Sequence, residues 1–180
     1  NCQRLDGRTG LQLRLGCAVQ AKMLLLIANT TGQALRVKGS EATVDGLILR
    51  NIGAPTLISN TLYKENPGKL TINRLGLSSG CDHAKYVVYS DSEGNQVKLS
   101  NSILSVSKNG IGVYVGAGEA ELDNVKISGG LYAVQNFASV TVKDSSLFNS
   151  IWSLRNEAGA KATLTDSYFY GNKEGTLPSD

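Results

Sequence analysis

Short stretches with alternating apolar and polar residues recur along the chain at intervals of 20 to 28 residues. In each stretch the first and third residues are apolar and the second and fourth are mostly polar, which predicts a short strand with one buried face. The apolar centres of the six stretches are Val44, Ile72, Leu99, Leu122, Val142 and Leu164. A repeat of this length predicts a solenoid, because a single coil cannot bury its apolar face and neighbouring coils must stack on it.

Two residues after each centre stands a residue that we assign to a tight corner. Asn and Asp predominate there, and both tolerate a left-handed backbone and bond nearby amides. The six corner residues are Gly46, Arg74, Asn101, Asn124, Asp144 and Asp166. A third strand is predicted before each stretch, with buried positions at Leu35, Val37, Leu57, Tyr86, Val88, Val113, Val115, Tyr132, Val134, Trp152 and Leu154. We interpret Ser59–Lys69 and Tyr89–Gln96 as the longest linkers between the third strands and the repeat.

The coil length, the rhythm of three strands and the Asn/Asp corners together resemble the right-handed parallel β-helix of the pectate-lyase-like superfamily. The predicted fold class is therefore all-β, a right-handed parallel β-helix solenoid of about six to seven coils. We assign residues 1–17 to an N-terminal cap or first strand, residues 18–172 to the β-helix and residues 173–180 to a polar C-terminal tail. These are signals of a fold, and they indicate no particular member of the superfamily.

Composition and charge limit the classes of partner. The formal net charge of +3 is small and the charges are interspersed, so nucleic acid is not a favoured partner. The apolar stretch Met23–Ile27 is too short to span a bilayer.

A disulfide between Cys2 and Cys17 would imply an oxidising compartment, and free thiols fit the sequence equally well. Because the chain begins at Asn1, we expect a mature product or a fragment, and we expect it to be secreted, periplasmic or at the cell surface.

The resemblance also implies a first set of candidate site residues. Enzymes of this superfamily act on acidic polysaccharides with carboxylates that bind calcium or transfer protons, and with a nearby Arg or Lys. The resemblance therefore implies Asp123, Lys98 and Lys143 as catalytic candidates. Glu121 and Asp123 are the candidate ligands for calcium, the only cofactor that we consider. The alternative is an ordinary solvated face on which opposite charges of neighbouring strands offset each other.

Aromatic residues give a second candidate site, for a polysaccharide or glycan. Tyr89 and Tyr114 are predicted at outward positions on adjacent coils, with Arg36, Gln135 and Arg155 nearby on the same face. Aromatic rings flanked by hydrogen-bonding groups suit sugars, since the rings stack on the apolar sugar faces while polar groups bond the hydroxyls. The alternative is that the two tyrosines only pack on each other across the strands.

The favoured hypothesis is a non-catalytic secreted or cell-surface module that binds carbohydrate or a partner protein. It is favoured because the catalytic motifs of polygalacturonases, lyases and pectin esterases are missing from the sequence. One alternative is a polysaccharide lyase-like or epimerase-like enzyme, or a fragment of one, acting on acidic polysaccharide. Another is a structural stalk or oligomerisation module. We find no amphipathic helix to cover the last coil, so a second copy or a neighbouring domain could dock there.

Overall fold

The computed structural model describes residues 3–4, 9–13, 19–28, 33–39, 41–51, 60–77 and 85–174. Side chains are described for residues 33–39, 41–49, 61–76 and 85–174. Cys2, Cys17 and Leu57 lie outside the described residues, and so does most of the predicted tail. Within the described ranges no helix is long and apolar enough to cross a membrane.

The described residues form strands joined by turns. The strands are β1 Gln3–Arg4, β2 Thr9–Leu13, β3 Val19–Ala28, β4 Gln33–Lys38, β5 Ala42–Asn51, β6 Asn60–Glu65, β7 Gly68–Leu77, β8 Tyr86–Ser90, β9 Asn95–Val106, β10 Ile111–Val115, β11 Glu119–Gly129, β12 Tyr132–Asn136, β13 Ser139–Lys143, β14 Ser146–Phe148, β15 Trp152–Asn156, β16 Lys161–Thr165 and β17 Tyr168–Tyr170. Strands β5, β7, β9 and β11 are long because each continues through a corner of the coil.

The strands stack into a β-solenoid with two long sheets. The first sheet has the order β1-β2-β4-β6-β8-β10-β12-β15, and the second has the order β3-β5-β7-β9-β11-β13-β16. Strands β14 and β17 extend the stack beyond the corner, where β14 pairs with β11 and β17 with β14. The pairings described within both sheets are parallel, apart from the antiparallel pair β1 and β2. The predicted all-β parallel solenoid is confirmed, with about five turns rather than six to seven.

The core of the second sheet is the predicted aliphatic ladder. Its members pair in register from coil to coil: Val44, Ile72, Leu99, Leu122, Val142 and Leu164. The first five are buried and the last is half-buried. All six predicted corner residues have a positive φ, between 46° and 83°. Asn and Asp accept this left-handed conformation at low cost, so the corner positions were predictable from the sequence.

Strand β6 corrects one assignment made from the sequence. The pattern places Ser59–Lys69 in a linker and Leu57 in the third strand, whereas the structure has the strand at Asn60–Glu65. Leu62 occupies the buried ladder position of this coil. The pattern failed because Lys64, a charged residue, is fully buried, so the strand does not show the usual alternation of apolar and polar residues.

The buried Lys64 contacts backbone carbonyl groups. Its Nζ donates to the carbonyl oxygen of Asn66 at 2.6 Å and to that of Glu65 at 3.4 Å. Loss of hydration lowers the pKa of Lys64 to about 8, although the negative charge of Glu65 favours the protonated form. Below that pH the folded chain therefore carries a buried charge that reduces its stability.

A second correction concerns the aromatic residues of the first sheet. Tyr86, Tyr132 and Trp152 were predicted to point into the core, and all three are half-buried. In each of these strands the next two residues are buried, as Val87 and Val88 are in β8. Simple alternation therefore fails at the first residue of the strand, and Tyr86 packs with the tyrosines of the outward face.

Candidate binding site

The first sheet presents two outward columns of side chains that run along the solenoid. The first column consists of Arg36, Tyr63, Tyr89, Tyr114, Gln135 and Arg155, which pair in register from coil to coil. The second column consists of Lys38, Glu65, Asp91, Gly116, Phe137 and Glu157, two positions further along each coil. All five residues that the sequence predicted for this face thus fall in one column, and we call the surface formed by both columns the tyrosine face.

Five aromatic rings form a continuous cluster at the centre of this face. Tyr89 and Tyr114 are stacked, with ring centroids 4.7 Å apart and an interplanar angle of 9°. Tyr63 packs edge-on against Tyr89 at 5.3 Å, and Tyr86 lies 4.8 Å from Tyr89. Phe137 extends the cluster beyond Tyr114, at 5.4 Å. We call these five residues the tyrosine ridge.

The stacking determines which parts of the rings a ligand can reach. Tyr89 and Tyr114 cover one face of each other, so neither presents two free faces to a sugar. Tyr63 also contacts Tyr89, and Phe137 also contacts Tyr114, so these rings offer a ligand less free surface than an isolated tyrosine. Phe137 differs, because 43% of its surface is exposed. It is the ridge residue best placed to stack on an apolar ligand surface.

A glycine in the second column makes room for this packing. A Cβ atom at Gly116 would lie 2.8 Å from Cε1 of Tyr114 and 3.2 Å from the Cβ of Asp91. The Tyr114 ring therefore leans across the Gly116 backbone, in space that any larger residue would fill. This close approach explains the need for glycine at this position.

Hydrogen-bonded polar groups adjoin Phe137 on its own coil and on the next one. Gln135 Nε2 donates to Glu157 Oε1 at 3.1 Å, and Arg155 Nε forms an ion pair with the same oxygen at 2.6 Å. Arg155 Nη1 also donates to the Tyr132 hydroxyl at 2.7 Å. This network holds an amide, a carboxylate and a guanidinium next to an exposed ring, and two of its members, Gln135 and Arg155, were predicted from the sequence.

Ion pairs also fix the opposite end of the ridge. Arg36 donates from Nε to Glu65 Oε2 at 2.7 Å, and Lys38 lies 3.8 Å from Glu65 Oε1. The Arg36 guanidinium lies over the Tyr63 ring at 5.7 Å, within the range of a cation–π contact. The predicted binding residue Arg36 is thus already engaged by an acidic residue and by a ring.

Asp91 lies beside the middle of the ridge. The Tyr63 hydroxyl donates to Asp91 Oδ1 at 3.3 Å. Burial, with the negative charge of Asp91, raises the pKa of Tyr63 to about 12, and the same two causes raise the pKa of Tyr89 further. Burial is also the main cause that raises the pKa of Tyr114. At neutral pH these hydroxyls are therefore protonated and can donate hydrogen bonds.

The second candidate site lies on the outward face of the second sheet. Lys98 Nζ donates to Glu121 Oε1 at 2.7 Å, and an open groove of about 440 Å³ passes over this pair. Lys143 lies beside Asp123 in register and forms an ion pair with Asp144 at 3.4 Å. The hydrogen bond with Glu121 raises the pKa of Lys98. A general base must be unprotonated, so this shift disfavours Lys98 as the base of a lyase reaction.

A calcium ion receives little support from the same face. Within the described ranges there is no group of three or more His, Cys, Asp or Glu side chains that could hold a metal ion. Glu121 already accepts a hydrogen bond from Lys98, and calcium takes six to eight oxygen ligands. The pair Glu121 and Asp123 therefore supplies only a small part of a calcium site.

Seven of the twelve residues of the tyrosine face were not predicted from the sequence: Tyr63 and all six residues of the second column. Tyr63 was missed because its strand was taken for a linker. Asp91 and Phe137 were missed because each directly follows a strand, where the side chain was not assigned to a face. The second-column residue lies two positions after the first-column residue in every coil. This constant spacing is the signal that would have assigned Asp91 and Phe137 to the tyrosine face.

No family model, no curated protein and no solved structure matches the chain. Function is therefore inferred from the geometry of the two outward faces. The tyrosine face combines an exposed aromatic ring with fixed polar groups. The outward face of the second sheet instead mixes threonines with ion pairs such as Lys98 and Glu121.

Proposed function

We propose that the chain is a secreted or cell-surface module of the right-handed, pectate-lyase-like kind that binds carbohydrate without catalysis. The observation that carries the proposal is the exposed ring of Phe137 beside the hydrogen-bonded set of Gln135, Glu157 and Arg155. A sugar ring can stack on the phenyl face while its hydroxyls bond the amide, carboxylate and guanidinium groups. Because these groups are held by each other, binding would cost little side-chain entropy.

The direction of the columns supports a linear glycan as the ligand. Neighbouring strands of a sheet lie about 4.8 Å apart, and the two columns cross these strands along the solenoid. A glycan chain lying in the same direction would meet a new coil at each such step. Beyond Phe137 it would meet the Tyr114 hydroxyl, which is a protonated donor at neutral pH, and then the Tyr89 hydroxyl, whose proton is directed at Asp91 and whose oxygen can accept. The ridge would thus offer a row of hydroxyl groups beside apolar ring surface.

The test is a glycan array, followed by calorimetry on the glycan that binds best. Replacing Phe137 with Ala should weaken binding by roughly tenfold or more, because it removes the stacking surface. Ile103 is the matched control, since it is an apolar residue of the second sheet that is 58% exposed. Ile103→Ala should bind like the original protein. If no glycan binds, or if the two variants bind equally well, the proposal is wrong.

The enzyme alternative has a separate test. It would use Asp123, Lys98 and Lys143, and the groove over Lys98 is the observation in its favour. Incubation with acidic polysaccharide should then give the ultraviolet absorbance of unsaturated uronates. The raised pKa of Lys98 argues against this outcome, because the lysine stays protonated in the pH range where a lyase base must act.

A further inference from the structure

The three carboxylates of the second column differ in their partners. Glu65 is paired with Arg36 and Lys38, and Glu157 is paired with Arg155. Within the described ranges Asp91 forms no ion pair. Its side-chain contacts are the neutral hydroxyls of the ridge and of Ser92, the latter 3.5 Å from Oδ1. Among the described residues the carboxylate at the centre of the tyrosine face is thus outside any ion pair, and the Lys85 ammonium lies over the neighbouring Tyr86 ring rather than on this carboxylate.

From this carboxylate, which forms no salt bridge with a described residue, we infer that the tyrosine face selects glycans that carry free amino groups, and that Asp91 receives the ammonium group. The inference rests on the proposed function and names the class of carbohydrate. An ammonium group is a compact cation with several N–H donors, and an exposed carboxylate with hydroxyl neighbours suits it. A glycan of uronic acids would instead bring a like charge to the same point, which is unfavourable.

The spacing of the face fits this assignment. Asp91, Gly116 and Phe137 are consecutive members of the second column, so Asp91 and Phe137 lie two coils apart. Two strand spacings are roughly 10 Å. Gly116 adds no side chain between them, and the Tyr114 ring that covers it supplies an apolar surface. A glycan with one ring stacked on Phe137 can therefore continue over Tyr114 and place an amino group near Asp91.

The experiment compares three hexamers by calorimetry: β-1,4-linked glucosamine, its N-acetylated form, and galacturonate. We expect the glucosamine hexamer to bind about threefold to fivefold more tightly than the acetylated one, which is the range for an exposed ion pair. The galacturonate hexamer should bind most weakly. The preference for the amino form should shrink as salt is raised from about 0.05 M to 0.5 M, because salt screens exposed charges.

Two variants assign the preference to Asp91. Asp91→Asn keeps the size of the side chain and its ability to accept from Tyr63, and it should bind both neutral and amino hexamers with the affinity of the neutral one. Glu93→Gln is the matched control, since Glu93 is an exposed carboxylate in the same turn. It should keep the preference for glucosamine.

The possible outcomes distinguish a failure of this inference from a failure of the proposed carbohydrate-binding function. If the acetylated hexamer binds as well as the amino form, or if Asp91→Asn keeps the preference, the inference is wrong and the carbohydrate module stands. If none of the hexamers and no glycan of the array binds, both are wrong. If a lysine hexapeptide binds with the same dependence on Asp91 while the glycans do not, the ligand is a basic protein segment and the carbohydrate assignment is overturned.

Discussion

The two outward faces of the solenoid carry comparable charges, but they hold their side chains differently. On the second sheet, the Lys98 and Glu121 side chains that form an ion pair are 39% and 46% exposed. On the tyrosine face, Arg36 and Glu65 are 28% and 19% exposed, and Arg155 and Glu157 are 47% and 23% exposed. Each of these two arginines also packs over a tyrosine ring. Exposed pairs contribute little to stability and are easily rearranged, whereas half-buried groups with several partners keep one arrangement. A fixed arrangement is what a binding surface needs, so the tyrosine face is the better candidate.

Two lysines show the same contrast inside and outside the coil. Burial lowers the pKa of Lys64, which lies on the inner side of the sheet that carries the tyrosine face. The hydrogen bond with Glu121 raises the pKa of Lys98 on the other face. The sequence pattern places Lys98 in a strand and Lys64 in a linker, and it gives no sign that their pKa values shift in opposite directions. The environment of each side chain, and not its type, decides whether its charge stabilises the fold.

The largest difference between the faces should appear in stability. Replacing both Tyr89 and Tyr114 with Ala removes the stacked, half-buried pair and should lower the free energy of unfolding by about 3–5 kcal/mol. The free energy is measured by urea unfolding followed by circular dichroism. The double variant Lys98→Ala, Glu121→Ala on the other face should lose less than about 1 kcal/mol, because its pair is exposed. Equal losses in the two variants would show that the ridge is held no more firmly than the exposed charges.

A second prediction uses pH to detect the charge beneath the tyrosine face. The pKa of Lys64 is about 8 in the folded chain and 10.5 for an ordinary lysine, so the unfolded chain holds more protons between these values. Below pH 8 the buried charge lowers the free energy of unfolding by its full amount. This loss becomes smaller as pH rises toward 10.5, because Lys64 is then neutral in the folded chain. The free energy of unfolding should therefore rise over this interval, by at most roughly 3 kcal/mol.

The comparison variant for this pH profile is Lys64→Met, which keeps an unbranched chain without the charge. It should lack the rise between pH 8 and 10.5, and it should be at least as stable as the original protein at pH 7, since no charge is buried. Other lysines and the tyrosines titrate in both proteins, so the difference between the two profiles isolates Lys64. Parallel profiles would show that the pKa of Lys64 is not lowered in the folded chain.

The structure could be predicted from the sequence where apolar and polar residues alternate regularly along a strand. The ladder through Leu99 and Leu122 follows the alternation of apolar and polar residues, and corner residues such as Asn101 belong to types that adopt a positive φ. The prediction failed at Lys64 and Tyr86. In both cases the packing of the whole coil outweighs local polarity, so the sequence pattern places Lys64 in a linker and Tyr86 on the inner side of its strand.

The binding face could be predicted only in part for a related reason. Tyr89 and Tyr114 were placed correctly because their strands have a recognisable period. Their mutual stacking depends on coil-to-coil register, and so does the position of Phe137, which follows its strand. The register between neighbouring coils depends on all the coils together. It cannot be derived from one repeat at a time, because the linkers between the strands vary in length.

The smallest effect, and the sharpest comparison of the two sheets, comes from one glycine on each. Gly116→Ala would place a Cβ atom 2.8 Å from the Tyr114 ring. Among the described residues, a Cβ atom at Gly76 on β7 would meet only Cγ1 of Ile48, at 3.9 Å. We expect Gly116→Ala to lower the free energy of unfolding by about 1–2 kcal/mol, because the ring must move. Gly76→Ala should leave stability unchanged or raise it slightly, since it restricts the unfolded chain. Near-ultraviolet circular dichroism of the tyrosines should change only in Gly116→Ala. If Gly116→Ala is as stable as Gly76→Ala and keeps the tyrosine signal, the Tyr114 ring does not lean across Gly116. The side chains of the tyrosine face would then be held no more firmly than those of the second sheet.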